Sequence, residues 1–124
     1  MDILSTRPII LDNHCYIDID QSIFMKNGLP LSLSRLELRL LQRLAYNLDE
    51  TVPLLTIYKF MWLSEENIDL HLLYVYINRV RKKIEDHPRT PRFIISVRGT
   101  GYMLRSYISE NHKKSLNTSP NESA

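Results

Sequence analysis

The 124-residue sequence contains little of what several functional classes require. Its single cysteine, Cys15, excludes an intramolecular disulfide and fits a reducing compartment. Only three glycines are present, and the two in Gly99-Thr100-Gly101 have neither the spacing nor the following helix of a phosphate-binding loop. No apolar run approaches the roughly 18 residues of a membrane span, and no secretion signal opens the chain. We therefore expect a cytoplasmic protein with no membrane span in this chain.

Candidate catalytic and metal-ligating residues are equally sparse. The four histidines, His14, His71, His87 and His112, are scattered without the spacing of metal ligands. The adjacent pair His14-Cys15 would need further ligands from elsewhere in the chain. The sequence therefore predicts a protein that is not an enzyme and that has no metal site and no cofactor.

Positive charge is present and is unevenly distributed, although the formal net charge is only +2. Residues 1–78 contain six Lys/Arg and ten Asp/Glu, whereas residues 79–105 contain eight Lys/Arg and two acidic residues. A local basic patch is typical of a protein that binds a polyphosphate, with affinity that depends strongly on salt. The alternative for Lys82 and Lys83 is a solvated face near a helix C-terminus, where cations are favoured in any case.

The segment from Leu70 to Asp86 predicts a basic amphipathic helix. Asp69 is its predicted N-cap, and His87-Pro88 predicts its end because the residue before proline avoids the helical region. One apolar stripe recurs at helical spacing and predicts the buried face: Leu73, Ile77, Val80 and Ile84. The opposite face then presents His71, Leu72, Val75, Asn78, Arg79 and Lys82.

A β-hairpin is predicted after this helix, over residues 93–104. Gly99 and Gly101 lie within three positions of each other, flanked by β-branched and aromatic residues. Such glycines mark a tight turn where positive φ is needed, and glycine adopts positive φ freely. Arg98 would thereby be held at a rigid tip.

The N-terminal half predicts a sheet followed by two helices. Short strands are indicated over residues 8–11, 16–20, 23–25 and 29–33, with an Asn-Gly hairpin turn at residues 27–28. Ser34 and Glu37 predict a capping box for a helix that runs to about Tyr46. A second helix is predicted from Pro53, at its first turn, to Trp62, followed by an acidic loop over residues 63–69. The predicted fold class is α+β: an N-terminal antiparallel sheet, three helices and a C-terminal hairpin wing.

Four stretches of this sequence match one known family: residues 29–41, Trp62, residues 75–85 and residues 96–102. Over residues 7–105 the chain resembles the C-terminal effector domain of OmpR/PhoB-type regulators, the winged helix-turn-helix module of many bacterial two-component response regulators. The last two stretches together are highly specific. We accordingly expect a domain at residues 7–105, an N-terminal extension at residues 1–6 and a disordered polar tail or linker at residues 106–124.

The resemblance implies a sequence-specific transcription regulator that binds double-stranded DNA, with the third helix in the major groove. Arg79 is the expected principal base contact, since a guanidinium can bond guanine O6 and N7 with about 1–3 kcal/mol of discrimination. Trp62, Arg81 and Ser96 match positions that contact the phosphate backbone, and Arg98 matches an arginine inserted into the minor groove. The predicted DNA-binding residues are Trp62, His71, Leu72, Val75, Asn78, Arg79, Arg81, Lys82, Ser96, Arg98 and Thr100.

Further partners follow from the same resemblance. The 63–69 loop corresponds to a loop that contacts RNA polymerase in several relatives, and family members commonly bind DNA as two protomers on neighbouring half-sites. Typical response regulators place a receiver domain before this module, and ToxR-like membrane regulators place the module first. With only a short segment ahead of residue 7, we expect an excised module, a stand-alone binder or a ToxR-like arrangement.

The chain departs from the family pattern at Tyr74, where an aspartate is usual, and at Leu54-Leu55, where charged residues are common. The base preference of relatives therefore does not transfer. An alternative function is a protein-interaction module of the same fold with reduced DNA binding, in which Leu54, Leu55, Leu72 and Tyr74 form a docking surface.

Overall fold

The computed structural model describes residues 7–108 of the chain. The expected N-terminal extension, residues 1–6, and residues 109–124 of the expected tail, which include His112, lie outside the described residues.

Two antiparallel sheets flank three helices. The first sheet has the strand order β1 (Ile9–Ile10), β2 (Cys15–Asp18), β3 (Ile23–Lys26), β4 (Leu29–Ser32). The helices are α1 (Arg35–Tyr46), α2 (Leu54–Trp62) and α3 (Leu70–Ile84). The second sheet contains β5 (Val52–Pro53), β6 (Ile94–Val97) and β7 (Gly101–Leu104), with β7 in the centre. The predicted α+β architecture is confirmed.

The predicted hairpin turn of the first sheet and the predicted capping box of α1 are confirmed. Asn27 and Gly28 both adopt positive φ, 51° and 81°, in the turn that joins β3 to β4. At the start of α1, the Glu37 backbone N–H donates to Ser34 Oγ at 3.2 Å, and the Ser34 N–H donates to Glu37 Oε1 at 2.7 Å. These reciprocal bonds satisfy groups that the first helical turn leaves without partners.

The core lies between the first sheet, the inner faces of the helices and the wing. Its fully buried side chains come from both sheets and all three helices, and they form one contiguous cluster. The largest of them are Phe24, Leu11, Ile17, Leu40, Leu41, Leu44, Ile57, Leu73, Ile77, Ile84, Ile94 and Leu104.

Strand β5 was not predicted from the sequence, and it corrects the position expected for Pro53. Pro53 lies in extended backbone, φ −62° and ψ 149°, as the N-cap of α2 and not within its first turn. It does so because Val52 and Pro53 pair with Tyr102 and Gly101 of β7. The wing is therefore a three-stranded sheet anchored to the start of α2.

The two wing glycines are required for different structural reasons, which corrects the expectation that both adopt positive φ. Gly99 has φ 78° in the turn. Gly101 has no positive φ, but a Cβ on it would lie 1.9 Å from the Val52 carbonyl oxygen. Gly101 therefore permits the close approach of β5 to β7, since any side chain there would collide with backbone.

Helix α3 ends at Ile84, before the predicted stop at His87-Pro88. Glu85 adopts extended backbone, φ −84° and ψ 140°, and its side chain is buried. Its carboxylate accepts hydrogen bonds from the backbone N–H groups of Arg92 at 2.8 Å, Phe93 at 3.0 Å and Ile94 at 2.8 Å. The helix thus stops where the carboxylate turns inward to pair with the chain entering β6.

Two residues assigned to the tail from the sequence make contacts with the domain. Ser106 donates from its backbone N–H and its hydroxyl to the Asp49 carboxylate, at 2.7 Å and 2.6 Å. The Tyr107 hydroxyl donates to the Arg92 carbonyl oxygen at 2.7 Å.

Replacing Glu85 by glutamine tests the buried carboxylate. An amide has one acceptor oxygen and presents its NH2 to N–H donors, so buried backbone groups lose partners at a cost of about 1–3 kcal/mol. We expect Glu85→Gln to lower the free energy of unfolding by that amount in urea titrations. Glu66→Gln, in an exposed loop, is the matched control, and equal stability of the two variants would contradict the assignment.

Candidate nucleic-acid interface

Helix α3 presents one buried and one exposed face, as predicted. Leu73, Ile77, Val80 and Ile84 are at most 1% exposed. Asp69 is the N-cap, and its carboxylate accepts from the His71 backbone N–H at 3.0 Å. On the other face Val75 is half-buried, and the following residues are exposed: His71, Leu72, Asn78, Arg79 and Lys82. A row of polar and cationic side chains is therefore free of the core along the helix.

Arg79 does not extend alone into solvent. Its guanidinium carbon lies over the Tyr76 ring, 4.9 Å from the ring centroid. Tyr76 in turn meets Trp62 edge-on at 5.7 Å, and Trp62 is stacked on Tyr58 at 4.6 Å. We call Tyr58, Trp62 and Tyr76 the aromatic stack. It joins α2 to α3 and leaves Trp62 half-buried.

Arg81 and Ser96 bind each other across the junction of α3 and the wing. Arg81 Nη2 donates to the Ile94 carbonyl oxygen at 2.8 Å and to Ser96 Oγ at 3.0 Å. The guanidinium also lies over the Tyr102 ring at 5.5 Å. Burial lowers the pKa of Arg81 from its ordinary value, against the raising effect of Tyr102 and Glu85. Arg81 thus has a structural role, because its contacts fix the angle between α3 and the wing.

A shallow groove runs beside this junction, with a volume of about 560 Å³. Asn78, Arg81 and Ser96 line it together with Arg89, and its apolar walls are Pro88, Pro91 and Ile95. Arg89 was not among the predicted site residues. The available signal was its place in the basic segment, but only the folded loop brings it beside α3.

The wing tip is short and is held at both ends. The Thr100 N–H donates to the Val97 carbonyl oxygen at 3.0 Å, and the Thr100 carbonyl oxygen accepts from the Leu54 N–H at 3.2 Å. Arg98 and Thr100 are exposed at this tip. Tyr102 is buried, as expected for an anchor of the wing, and burial raises its pKa. The tip therefore presents Arg98 from a backbone that is tied to the start of α2.

Lys83, one member of the basic run, is exposed but binds two acceptors of the domain. Its Nζ lies 2.6 Å from Glu37 Oε1 and donates to the Ser32 carbonyl oxygen at 2.8 Å. Burial alone would raise the pKa of Glu37, but hydrogen bonds from Lys83 and Ser34 outweigh it and hold that pKa below its ordinary value. This pair joins the start of α1 to the end of α3. Both lysines are exposed, but Lys83 is paired with Glu37.

Two other kinds of site are absent from residues 7–108. Those residues contain no group of three or more His, Cys, Asp or Glu side chains that could hold a metal ion. No helix in this part of the chain is both long enough and apolar enough to cross a membrane.

Comparison with known sequences identifies relatives over most of the chain. The family described as "Transcriptional regulatory protein, C terminal" matches residues 28–104. The transcriptional regulatory protein YcbL of Bacillus subtilis is 37% identical over 103 residues, which cover 83% of this chain and 46% of the relative. The chain therefore spans less than half the length of this curated relative. The relatives are transcriptional regulators, in agreement with the prediction that the chain is not an enzyme.

Comparison with solved structures gives the same fold. Response regulator DrrB of Thermotoga maritima, an OmpR/PhoB homologue, is 29% identical with a TM-score of 0.69, over 76% of this chain and 42% of that one. The DNA-binding domain of RstA from Klebsiella pneumoniae, solved in complex with the RstA box, is 24% identical with a TM-score of 0.70. That match covers 82% of this chain and 99% of the RstA domain.

The Glu37–Lys83 pair predicts a specific dependence of stability on pH. Because the folded-state pKa of Glu37 lies below its ordinary value of 4.5, its contribution is complete above that pH and is lost as the pH falls through the lower folded value. We expect the melting temperature of the wild type to fall more steeply below pH 4.5 than that of Glu37→Gln. Glutamine keeps the capping-box position, and parallel melting profiles would contradict the prediction.

Proposed function

The chain belongs to the family of C-terminal domains of transcriptional regulatory proteins, of the OmpR/PhoB type, and on this premise we propose that it binds double-stranded DNA sequence-specifically and regulates transcription. One observation supports this most: the exposed polar and cationic face of α3 is joined through the Arg81–Ser96 contact to a wing with an exposed arginine at its tip. Because α3 and the wing tip are held at a constant angle, they can enter two adjacent grooves of one duplex together.

In the proposed complex α3 enters the major groove. Arg79 donates to guanine O6 and N7, the half-buried Val75 meets a thymine methyl group, and Asn78 and Lys82 contact bases or flanking phosphates. His71 and Leu72, at the first turn of the helix, lie at the edge of the same surface. Specificity then comes from a small number of side chains on one helix face.

The wing and the α3 junction supply the remaining proposed contacts. Arg98 enters the adjacent minor groove, where a narrow A·T-rich segment attracts it through enhanced negative potential, and Thr100 contacts the backbone beside it. Trp62, Arg81 and Ser96 contact phosphates, which set register without reading sequence. We add Arg89 to this group, because it lines the same groove as Arg81 and Ser96.

The organisation of the whole protein is also part of the proposal. We assign residues 7–105 to the DNA-binding domain and the remainder to an extension and a polar tail or linker. The contacts of Ser106 and Tyr107 favour a linker that begins after them. We further propose a cytoplasmic protein that contacts RNA polymerase through the 63–69 loop and binds DNA as two protomers.

Selection of bound duplexes from a random pool at physiological salt tests the proposal directly. We expect enrichment of a short motif, with an affinity that falls steeply as salt rises because phosphate contacts release counterions. Absence of enrichment would contradict sequence-specific binding.

Two arginine variants test the proposed groove contacts. We expect Arg79→Ala to abolish discrimination at one base pair, at a cost of about 1–3 kcal/mol, and Arg98→Ala to weaken binding most on A·T-rich flanks. Both should leave the melting temperature nearly unchanged, because both side chains are exposed. Arg35→Ala, which removes one exposed positive charge from α1, is the matched control. Equal losses in all three variants would indicate non-specific electrostatics alone.

A second candidate function is a docking module of the same fold. It is favoured by the exposure of two apolar side chains on α3, Leu72 and Tyr74, each 40% exposed, and of Leu55 on α2, 47% exposed. An aspartate in such a surface would disrupt apolar contact with a partner.

Leu72→Asp separates the two functions. If docking is the function, this variant should lose a protein complex that Arg79→Ala and Arg98→Ala leave intact, measured by pull-down with a purified partner. If DNA binding is the function, the arginine variants should lose duplex binding in gel-shift assays, and no protein complex should depend on Leu72.

A further inference from the structure

We propose that Tyr76 is a positioning residue for base recognition: its ring holds the Arg79 guanidinium at the exposed face of α3, so that Tyr76 sets discrimination without contacting DNA. This inference rests on the proposed function and assigns a role to a residue that the sequence did not single out. The observation behind it is the continuous contact from α2 to Arg79 through the aromatic stack.

The Tyr76 ring is itself held in place. It is half-buried and meets the Trp62 indole edge-on at 5.7 Å, and Trp62 is stacked on Tyr58 at 4.6 Å. Tyr58 is buried in the core. The ring is therefore supported by α2 through Trp62 and the buried Tyr58, and rotation of Tyr76 away from Arg79 would break its contact with Trp62.

Arg79 contacts this ring. Its guanidinium carbon lies 4.9 Å from the ring centroid, within the range of cation–π attraction. No ion pair of Arg79 is found among the described residues. A competing carboxylate would draw the guanidinium away and occupy its donors, whereas an aromatic face leaves the N–H groups free to bond elsewhere.

The expected benefit is preorganisation. A long arginine side chain has many rotamers, and fixing one of them on binding costs entropy. A side chain already held near its bound position loses less, so affinity for the correct base rises while weak phosphate contacts gain little. Tyr76 should therefore affect discrimination between duplexes more than it affects binding to DNA in general.

The first experiment measures the contact without DNA. NMR spectra of the free protein should show the Arg79 Hδ protons shifted upfield by the ring current of residue 76. We expect the shift to persist in Tyr76→Phe and to disappear in Tyr76→Met, which keeps an unbranched apolar side chain against Trp62. A shift that survives Tyr76→Met would overturn the contact.

The second experiment measures discrimination. The ratio of affinities is determined for the selected duplex and for one changed at the base pair that Arg79→Ala no longer distinguishes. We expect Tyr76→Phe to keep the wild-type ratio and Tyr76→Met to lower it roughly 2- to 5-fold, the range of an exposed cation–π contact. In an Arg79→Ala background, Tyr76→Met should lower it no further. Because an unfolded fraction lowers both affinities equally, this ratio does not report a mere loss of folding.

The matched control is Tyr46→Leu. Arg43 lies over the Tyr46 ring at 5.5 Å, so α1 contains a similar arginine–tyrosine pair outside the candidate interface. We expect this variant to keep the wild-type ratio. If the wild type binds duplexes but Tyr76→Met keeps full discrimination, the positioning role is wrong and the proposed function stands. If the wild type binds no duplex, both proposals are wrong.

Discussion

The structure of the candidate interface depends on one buried carboxylate. Glu85 accepts hydrogen bonds from the backbone N–H groups of three successive residues at the entry to β6. Hydrogen bonds to a carboxylate are stronger than those to a neutral acceptor, and at a buried position water competes little for them. Arg81, one turn earlier on α3, binds the Ile94 carbonyl oxygen and Ser96 of the same strand. Because both ties lie at one end of α3, helix and wing behave as one unit.

The basic segment divides into cations that build the domain and cations that are presented to solvent. Arg81 and Lys83 bind internal acceptors, and Arg92 pairs with Asp12 at 3.0 Å. The other cations of this segment are all exposed: Arg79, Lys82, Arg89, Arg98 and Arg105. The charge count of residues 79–105 therefore includes three side chains that already have partners within the domain. Net charge alone does not reveal this division, because acceptors such as Glu37 and Ser32 lie about 50 residues earlier in the chain.

Several elements followed from local sequence because their causes are local. The Ser34–Glu37 capping box, the Asn27-Gly28 turn and the buried stripe of α3 each depend on residues within a few positions of one another. The features that the sequence did not predict, or predicted at the wrong position, depend on residues distant in the chain. Strand β5 exists because Val52 pairs with Tyr102, and the early end of α3 follows from the inward turn of Glu85. Arg89 and Tyr76 gained a place in the site only from their neighbours in space.

The sequence by itself determined the family, the order of the helices and strands, and which face of α3 is polar, since periodicity and short motifs specify these without reference to the rest of the chain. The tertiary structure decided how that face is used. It placed Arg79 against the Tyr76 ring, turned Lys83 toward Glu37 and closed β5 on Gly101. Lys83–Glu37 and Gly101–Val52 join segments distant in sequence, and the Tyr76 ring is held against Trp62 of another helix. Such contacts are set by packing and by hydrogen-bond geometry, which a linear pattern does not contain.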